Sequence, residues 1–301
     1  MSPSPKPTHI FDIMRIIDAI LDADRVLRSA NVSETPRLEA EVLLGDVLHR
    51  DRAKLISSYP EALNERDIMA FMSLVRRRAD GEPLAYITGK KEFMGRVFQV
   101  DRRVLIPRPE TEILVEYVSE YIRDAEHERP HILDIGTGCG CIAVSLALDL
   151  PQAIIYATDI SEAALEIAKT NAAEYYVAER ITFLYSDIYA GIPENLKESF
   201  DFIVSNPPYV SDSEYVSLER TVRDFEPPIA LRSGRDGLDC FRRIVAGAAE
   251  HLLVGGLLAV EIGEHQSEKA AAILERTGLS VMEIVPDLAG KLRVIIGRRM
   301  R

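Results

Sequence analysis

Residues 131–148, HILDIGTGCGCIAVSLAL, constrain the fold more than any other stretch of this chain. A short apolar run suited to a buried strand leads into Gly136, Gly138 and Gly140, and an apolar run of helical length follows. Glycines at such a junction let the backbone turn tightly and approach a ligand without side-chain obstruction, beside a helix N-terminus. Strand, glycine loop and helix in succession open a βαβ unit and point to a doubly wound sheet. The spacing GTGCG departs from the dinucleotide fingerprint GxGxxG, because its third glycine comes one residue early. It suits a nucleoside-type cofactor better than a pyrophosphate.

The pattern continues downstream. AIIYATD reads as a second strand ending at Asp159, about one βαβ step on, where an acidic residue typically binds ribose hydroxyls. ITFLYSD reads as a third, ending at Asp187, and FDFIVSNPPY as a fourth, stopping at Asn206, Pro207, Pro208 and Tyr209. Polar groups therefore gather at carboxyl ends of strands, where open parallel sheets bind ligands. Consecutive prolines fix φ and hold the preceding residue extended, so the chain is stiff after Asn206. The Asn206 side-chain oxygen and the Pro207 carbonyl can then point into one small space, with the Tyr209 ring as a wall. That arrangement fits a planar NH2 group, whose two donors would fix its plane and turn its nitrogen towards an electrophile. The chemistry expected is alkylation of an amide or exocyclic amine; the bland alternative is an ordinary Asn-Pro turn.

With 301 residues, 47% of them hydrophobic, the chain is long enough for a medium domain plus a small one. No apolar stretch is long enough to span a bilayer, and the leading MSPSPKPTH lacks the apolar segment of a signal peptide, so the expectation is a cytoplasmic protein without a membrane partner. Cys139, Cys141 and Cys240 are odd in number and read as small apolar fillers rather than a disulfide framework. A net charge of −12 argues against broad attraction to nucleic acid. The Arg76–Arg77–Arg78 run reads as a solvated face, with Lys90 and Lys91 the next basic cluster. Glu261, Glu264 and His265 in EIGEH lack the first histidine of HxxEH, and no metal site is expected.

Residues 1–80 are expected to form a helical domain. Its apolar positions recur at helical spacing at Ile13, Ile16, Ile17, Ile20 and Leu21, at Leu38, Val42, Leu43 and Val47, and at Ile68, Phe71, Met72 and Val75. Breaks fall at residues 31–36 and 59–64. Residues 81–106 read as a linker with a short hairpin turning at Gly95. The third region, 107–301, opens with a helix whose apolar face is Ile113, Leu114, Tyr117, Val118 and Tyr121, with proline in its first turn. At its end, SVMEIV and LRVIIG are separated only by PDLAGK, too short for a parallel crossover, so the final pair should be antiparallel.

These residues together resemble a class I S-adenosylmethionine-dependent methyltransferase of the amino-methylating kind. Further stretches narrow the likeness: RRRADGEPLAYITGKKEF (76–93), VLIPRPETEILVE (104–116), FEPPIALRSGRDGLDCFRRI (225–244) and GGLLAVEIGEHQ (255–266). Over roughly residues 10 to 300 the chain is similar to the HemK/PrmC family, the protein-(glutamine-N5) methyltransferases of peptide-chain release factors. The resemblance implies a Rossmann-like, mainly parallel sheet with an antiparallel last strand, preceded by a small helical domain that helps grip the substrate. It implies S-adenosylmethionine as cofactor and, as acceptor, the glutamine of the Gly-Gly-Gln loop of a class I release factor. It further implies that Gly136, Thr137, Gly138, Cys139 and Gly140 line the methionine part of the cofactor, Asp159 its ribose, and Asp187 and Ile188 its adenine. Asn206, Pro207, Pro208 and Tyr209 would hold the glutamine, with Asn206 also facing the cofactor; Asn206, Pro207 and Tyr209 would serve catalysis, Tyr209 by shielding the amide and by cation–π contact with the sulfonium.

Ile188 stands where relatives carry an aromatic, and Pro228 where a basic residue is frequent. Glu110 and Glu112 are expected to shape the cofactor pocket through Arg108, or simply to favour a helix N-terminus. The competing activities are methylation of a ribosomal-protein glutamine, which shares loop and fold, and of DNA adenine N6, which would need base flipping and a basic recognition region. A catalytically silent binder of the same fold is the third. A monomer is the default expectation.

Overall fold

The computed structural model describes residues 14–300. Ile13 and the leading MSPSPKPTH fall outside them. The chain divides into two compact units, with the division between Thr88 and Gly89.

The first unit is helical: α1 (Ile16–Ala30), α2 (Pro36–Leu48), α3 (Arg52–Ser57), α4 (Glu65–Ala79) and α5 (Leu84–Thr88). Its breaks are chemical. Asn31 ends α1 in the left-handed conformation, Pro36 occupies the first turn of α2, and the Asn64 side chain caps α4 by accepting from Asp67 N. Helix α1 buries Ile16, Ala19, Ile20, Ala23 and Leu27, one stripe at helical spacing. Helix α2 follows the expected face only in part: Leu43 is buried and Val47 packs against the core, but Leu38 and Val42 are exposed, while Ala40 and Leu44 enter the core. Apolar residues surround this helix, so spacing alone does not separate Leu38 and Val42 from Ala40 and Leu44, and packing in the shared core selects the Ala40 side. The arginine run also departs from expectation. Arg78 is buried, paired with Glu39 at 2.7 Å and donating to the carbonyls of Val32 and Glu82. Arg77 pairs with Glu82. A buried guanidinium is tolerated only with such partners.

The second unit begins with a hairpin of β1 (Lys90–Phe93) and β2 (Arg96–Gln99). Met94 and Gly95 both have positive φ, 52° and 67°, as a tight two-residue hairpin turn demands. Then follow α6 (Glu110–Asp124), β3 (His131–Ile135), α7 (Cys141–Asp149), β4 (Ile154–Asp159), α8 (Glu162–Glu174), β5 (Ile181–Tyr185) and β6 (Phe200–Ser205). The remainder is α9 (Asp212–Ser217), α10 (Arg220–Arg223), α11 (Asp239–His251), β7 (Leu252–Glu261), α12 (Ser267–Glu275), β8 (Leu279–Pro286) and β9 (Leu292–Arg299). Pro109 sits at the N-cap of α6, one position before the first turn expected for it.

Strands β3 to β9 form one seven-stranded sheet in the order β5-β4-β3-β6-β7-β9-β8. All pairings are parallel except those of β9, which runs antiparallel to both β7 and β8. This is the sheet the resemblance implied. Strand order reverses at β3, where β4 lies on one side and β6 on the other. Register aligns their ends: Ile135 stands opposite Thr158 of β4 and Ser205 of β6. The glycine loop and the Asn-Pro-Pro-Tyr loop thus leave adjacent strands at the same edge, at a topological switch point.

Candidate active site

Sheet hydrogen bonding continues into the loops and fixes their exits. Gly136 N and Thr137 N both donate to Thr158 O, at 2.8 and 2.9 Å, and the Ser205 hydroxyl donates to Ile135 O at 2.7 Å. Gly136, Gly138 and Gly140 all have positive φ, between 56° and 82°, which favours glycine. Gly140 has a second constraint, because a Cβ there would lie 3.0 Å from that of Ala168 in α8.

Above these loops lies a cavity of about 360 Å³. Gly136 and Gly138 line it from the glycine loop, Asp159 from the end of β4, Asp187 and Ile188 from beyond β5, and Asn206, Pro207 and Pro208 from beyond β6. The candidate residues do not all reach it. Thr137 and Cys139 are buried within the loop, Gly140 is the N-cap of α7, and Tyr209 is absent from the lining. The Tyr209 carbonyl instead accepts from Gln266 Nε2 at 2.9 Å, and its hydroxyl, near Glu261, is pushed well above the usual phenol range, chiefly by burial. Cys240 lines the cavity, with its thiol raised to about 11 by burial, so it forms a neutral wall.

Asp159 is held by backbone amides: Oδ2 accepts from Gly138 N and Oδ1 from Ser161 N, both at 2.9 Å. Burial raises its pKa, while those amides pull the other way. Each oxygen keeps a lone pair for a ligand hydroxyl. Strand β5 stops at Tyr185, two residues before Asp187, and Asp187 is steadied by Arg243 of α11 at 2.7 Å. Ile188 has φ 57°, an uncommon state for a β-branched residue that costs about 1–3 kcal/mol. Its carbonyl accepts from the Ser186 hydroxyl at 2.8 Å, and its side chain belongs to the core cluster that includes Leu133 and Ile135.

Asn206 is the most constrained polar group. Its Nδ2 donates to Thr111 Oγ1 at 2.9 Å, and Thr111 Oγ1 donates to Glu261 Oε2 at 2.6 Å. Asn206 Oδ1 is buried and has no hydrogen-bond partner among the described residues. A buried acceptor left open costs about 1–3 kcal/mol, so it invites a donor. Glu261, fully buried, is raised to about 7 by loss of solvent. Asp134 of β3, which leads into the glycine loop, is likewise raised to about 7 by burial, against the opposing pull of Thr137 and the Ala143 backbone.

Arg108 pairs with neither Glu110 nor Glu112. It binds Glu226 at 2.6 Å, and Glu226 also accepts from Ile106 N, while Glu112 accepts from Met94 N. The reading that those acidic residues act through Arg108 is therefore corrected: the buried Glu226 of FEPP holds that guanidinium. Pro228 opens a short turn, Pro228–Ala230, on the cavity's rim. Sequence reasoning missed Thr111, Arg243 and Glu226 and weighed Glu261 only as a metal ligand. A signal for Glu261 existed, since a carboxylate closing an apolar strand needs a partner when buried.

Comparison with known proteins adds independent findings. Residues 18–89 match the PrmC N-terminal domain family, and residues 109–224 the methyltransferase small domain family. The chain is 39% identical over 286 residues to the release factor glutamine methyltransferase of Rhodopirellula baltica, covering 94% of this chain and 95% of that one. It is 42% identical over 287 residues to the protein of the same name from Moorella thermoacetica, covering 95% and 99%. Among solved structures, the T. thermophilus 16S rRNA N2 G1207 methyltransferase, in complex with AdoMet and guanosine, has a TM-score of 0.53 at 18% identity, covering 70% of this chain and 50% of that chain. Identity that low speaks for the fold alone.

Proposed function

Because this chain belongs to the release factor glutamine methyltransferase family, we propose that it methylates the side-chain amide nitrogen N5 of the glutamine in the Gly-Gly-Gln motif of a class I peptide-chain release factor. It is an S-adenosylmethionine-dependent methyltransferase, and the bound cofactor supplies an electrophilic methyl group on a sulfonium. The residues of the cavity fit that group. At Gly136 and Gly138 no side chain stands between the loop backbone and the cavity, and Asp159 retains acceptor capacity for ribose hydroxyls. In this reading Gly136 and Gly138 bind the methionine part, the loop of Asp187 and Ile188 the adenine, and Asn206, Pro207 and Pro208 the acceptor glutamine.

The carrying observation is the unpaired, buried Oδ1 of Asn206, a residue that lines the cavity and whose NH2 is bonded to Thr111. An amide nitrogen is a poor nucleophile because its lone pair is conjugated. Donation of its two hydrogens to Asn206 Oδ1 and to the Pro207 carbonyl fixes the plane, raises the electron density on the nitrogen and aligns it for in-line displacement, the methyl–sulfur bond breaking as the methyl–nitrogen bond forms. The contribution of the protein is positioning and electrostatics. The proton lost after transfer goes to water, and no general base is assigned. Tyr209 closes this loop from the Glu261 side rather than from the cavity lining. A translation factor as substrate places the reaction in the cytoplasm.

Labelled methyl transfer from S-adenosylmethionine to a recombinant class I release factor tests this, beside a Gln→Ala variant of its Gly-Gly-Gln loop and a duplex DNA control. Label on the wild-type factor alone is expected. Label on DNA, or on the Gln→Ala factor, would overturn the assignment.

A further inference from the structure

The hydrogen-bond chain behind Asn206 joins three elements: the loop after β6, the first turn of α6 and the end of β7. Thr111 and Glu261 are both 2% exposed, so water does not compete for their bonds. A threonine hydroxyl has one hydrogen. If that hydrogen goes to a carboxylate, which can only accept, the Thr111 oxygen must serve Asn206 as acceptor. The Asn206 amide is then oriented with Nδ2 inward, and Oδ1 is left open. Which end of an amide faces a ligand is normally ambiguous; here the partner chemistry determines it.

We propose that Thr111 and Glu261 are positioning residues: the Glu261 carboxylate, acting through the Thr111 hydroxyl, sets the polarity of the Asn206 amide so that an acceptor faces the incoming NH2. This rests on the reading that Asn206 receives that NH2. Protonation of Glu261 undoes the arrangement. A neutral carboxylic acid can donate to Thr111, which frees the hydroxyl hydrogen to turn towards Asn206 and supports the flipped amide. Nδ2 then faces the substrate, donor against donor. The titratable and charged groups acting on Glu261 come from three elements: Glu110 of α6, Tyr209 of the acceptor loop and Arg293 of β9. Burial and Glu110 favour the neutral acid, whereas Thr111, Tyr209 and Arg293 favour the carboxylate. The balance lies at about 7, close enough to neutrality for activity to respond.

The test uses the full chain with a class I release factor and compares wild type with Thr111→Val, Thr111→Ser and Glu261→Gln. Cofactor affinity is measured by calorimetry, and kcat/KM is followed from about pH 5.5 to about 9. Thr111→Val should lower kcat about 100-fold with cofactor affinity unchanged, and Thr111→Ser should restore most of it. Wild type should show an acidic limb near neutrality that is missing in Glu261→Gln. Unchanged kcat in Thr111→Val, parallel loss of cofactor affinity, or an acidic limb surviving in Glu261→Gln would overturn the proposal. If wild type leaves the release factor unmethylated, the acceptor assignment fails, and the positioning idea is judged on the Asn206 side-chain NH2 resonance. That signal should titrate with Glu261 in wild type and stay flat in Glu261→Gln; a flat wild-type signal counts against it.

Discussion

Asn206 shows how little of a residue's function lies in its own identity. Its amide is useful because one end is tied to Thr111 and the other is open. Asn206→Ala should therefore keep cofactor affinity, measured by calorimetry, yet lose about 100-fold or more in turnover. Equal loss of both would show that the residue holds up the cofactor pocket instead. Glu261 and Asp134 belong to the same scale. Both have native pKa values raised to about 7 by burial, above the ordinary carboxylate value of about 4 in an unfolded chain. Between those values the native state binds more protons than the unfolded state, so stability is expected to fall as pH rises from about 4 through about 7. Denaturant melts near pH 5.5 and 8 should show this decline, and Glu261→Gln or Asp134→Asn should flatten it. Asp159 and Asn206, which line the cavity, close strands whose apolar runs locate them in the sequence. Thr111 could not be found that way, because its partners stand 95 and 150 residues away.

At the scale of elements, local patterns carried a great deal. The hairpin turn at Gly95, the end of α1 at Asn31, the start of α4 at Asn64 and the antiparallel final pair follow from neighbouring residues, because turn chemistry and short connections act locally. The docking of those elements does not. The hairpin is fastened to α8 by Asn171, which accepts from Gln99 N at 2.7 Å and donates to Gln99 O at 3.0 Å. The same side chain donates to Cys139 O at 2.8 Å, so it also braces the glycine loop. Asn171→Ala should destabilise the protein by about 1–3 kcal/mol, since it strands buried backbone groups. Cofactor affinity should fall with it. A thermal melt and a calorimetric titration read these separately, and an unchanged titration would show that the glycine loop stands without the brace. Helix α2 makes the complementary point. Spacing placed Leu38 and Val42 on its inner face, and only the packed core distinguished Ala40 from Leu38.

At the scale of the whole molecule, the cavity draws its lining from Arg103 to Ile244, all within the second unit. A chain beginning at Gly89 should therefore bind S-adenosylmethionine with close to full affinity, since that unit has its own core and sheet. If the first unit serves recognition of the release factor, the same fragment should lose most methyl transfer to it. Calorimetry and the labelling assay distinguish the two effects, and full transfer by the fragment would remove that role from the helical unit.

The amino-acid sequence by itself determined the alternation of strand and helix, the glycine loop and the polar residues that close each strand. Those features depend on hydrophobic period, backbone freedom and turn chemistry over a few neighbouring residues. The tertiary structure decided the strand order, with β9 between β7 and β8, and the partners of the buried charges: Glu39 for Arg78, Glu226 for Arg108 and Thr111 for Glu261. Each buried polar group needs some partner, but the choice depends on which distant segments the folded sheet brings within hydrogen-bond reach.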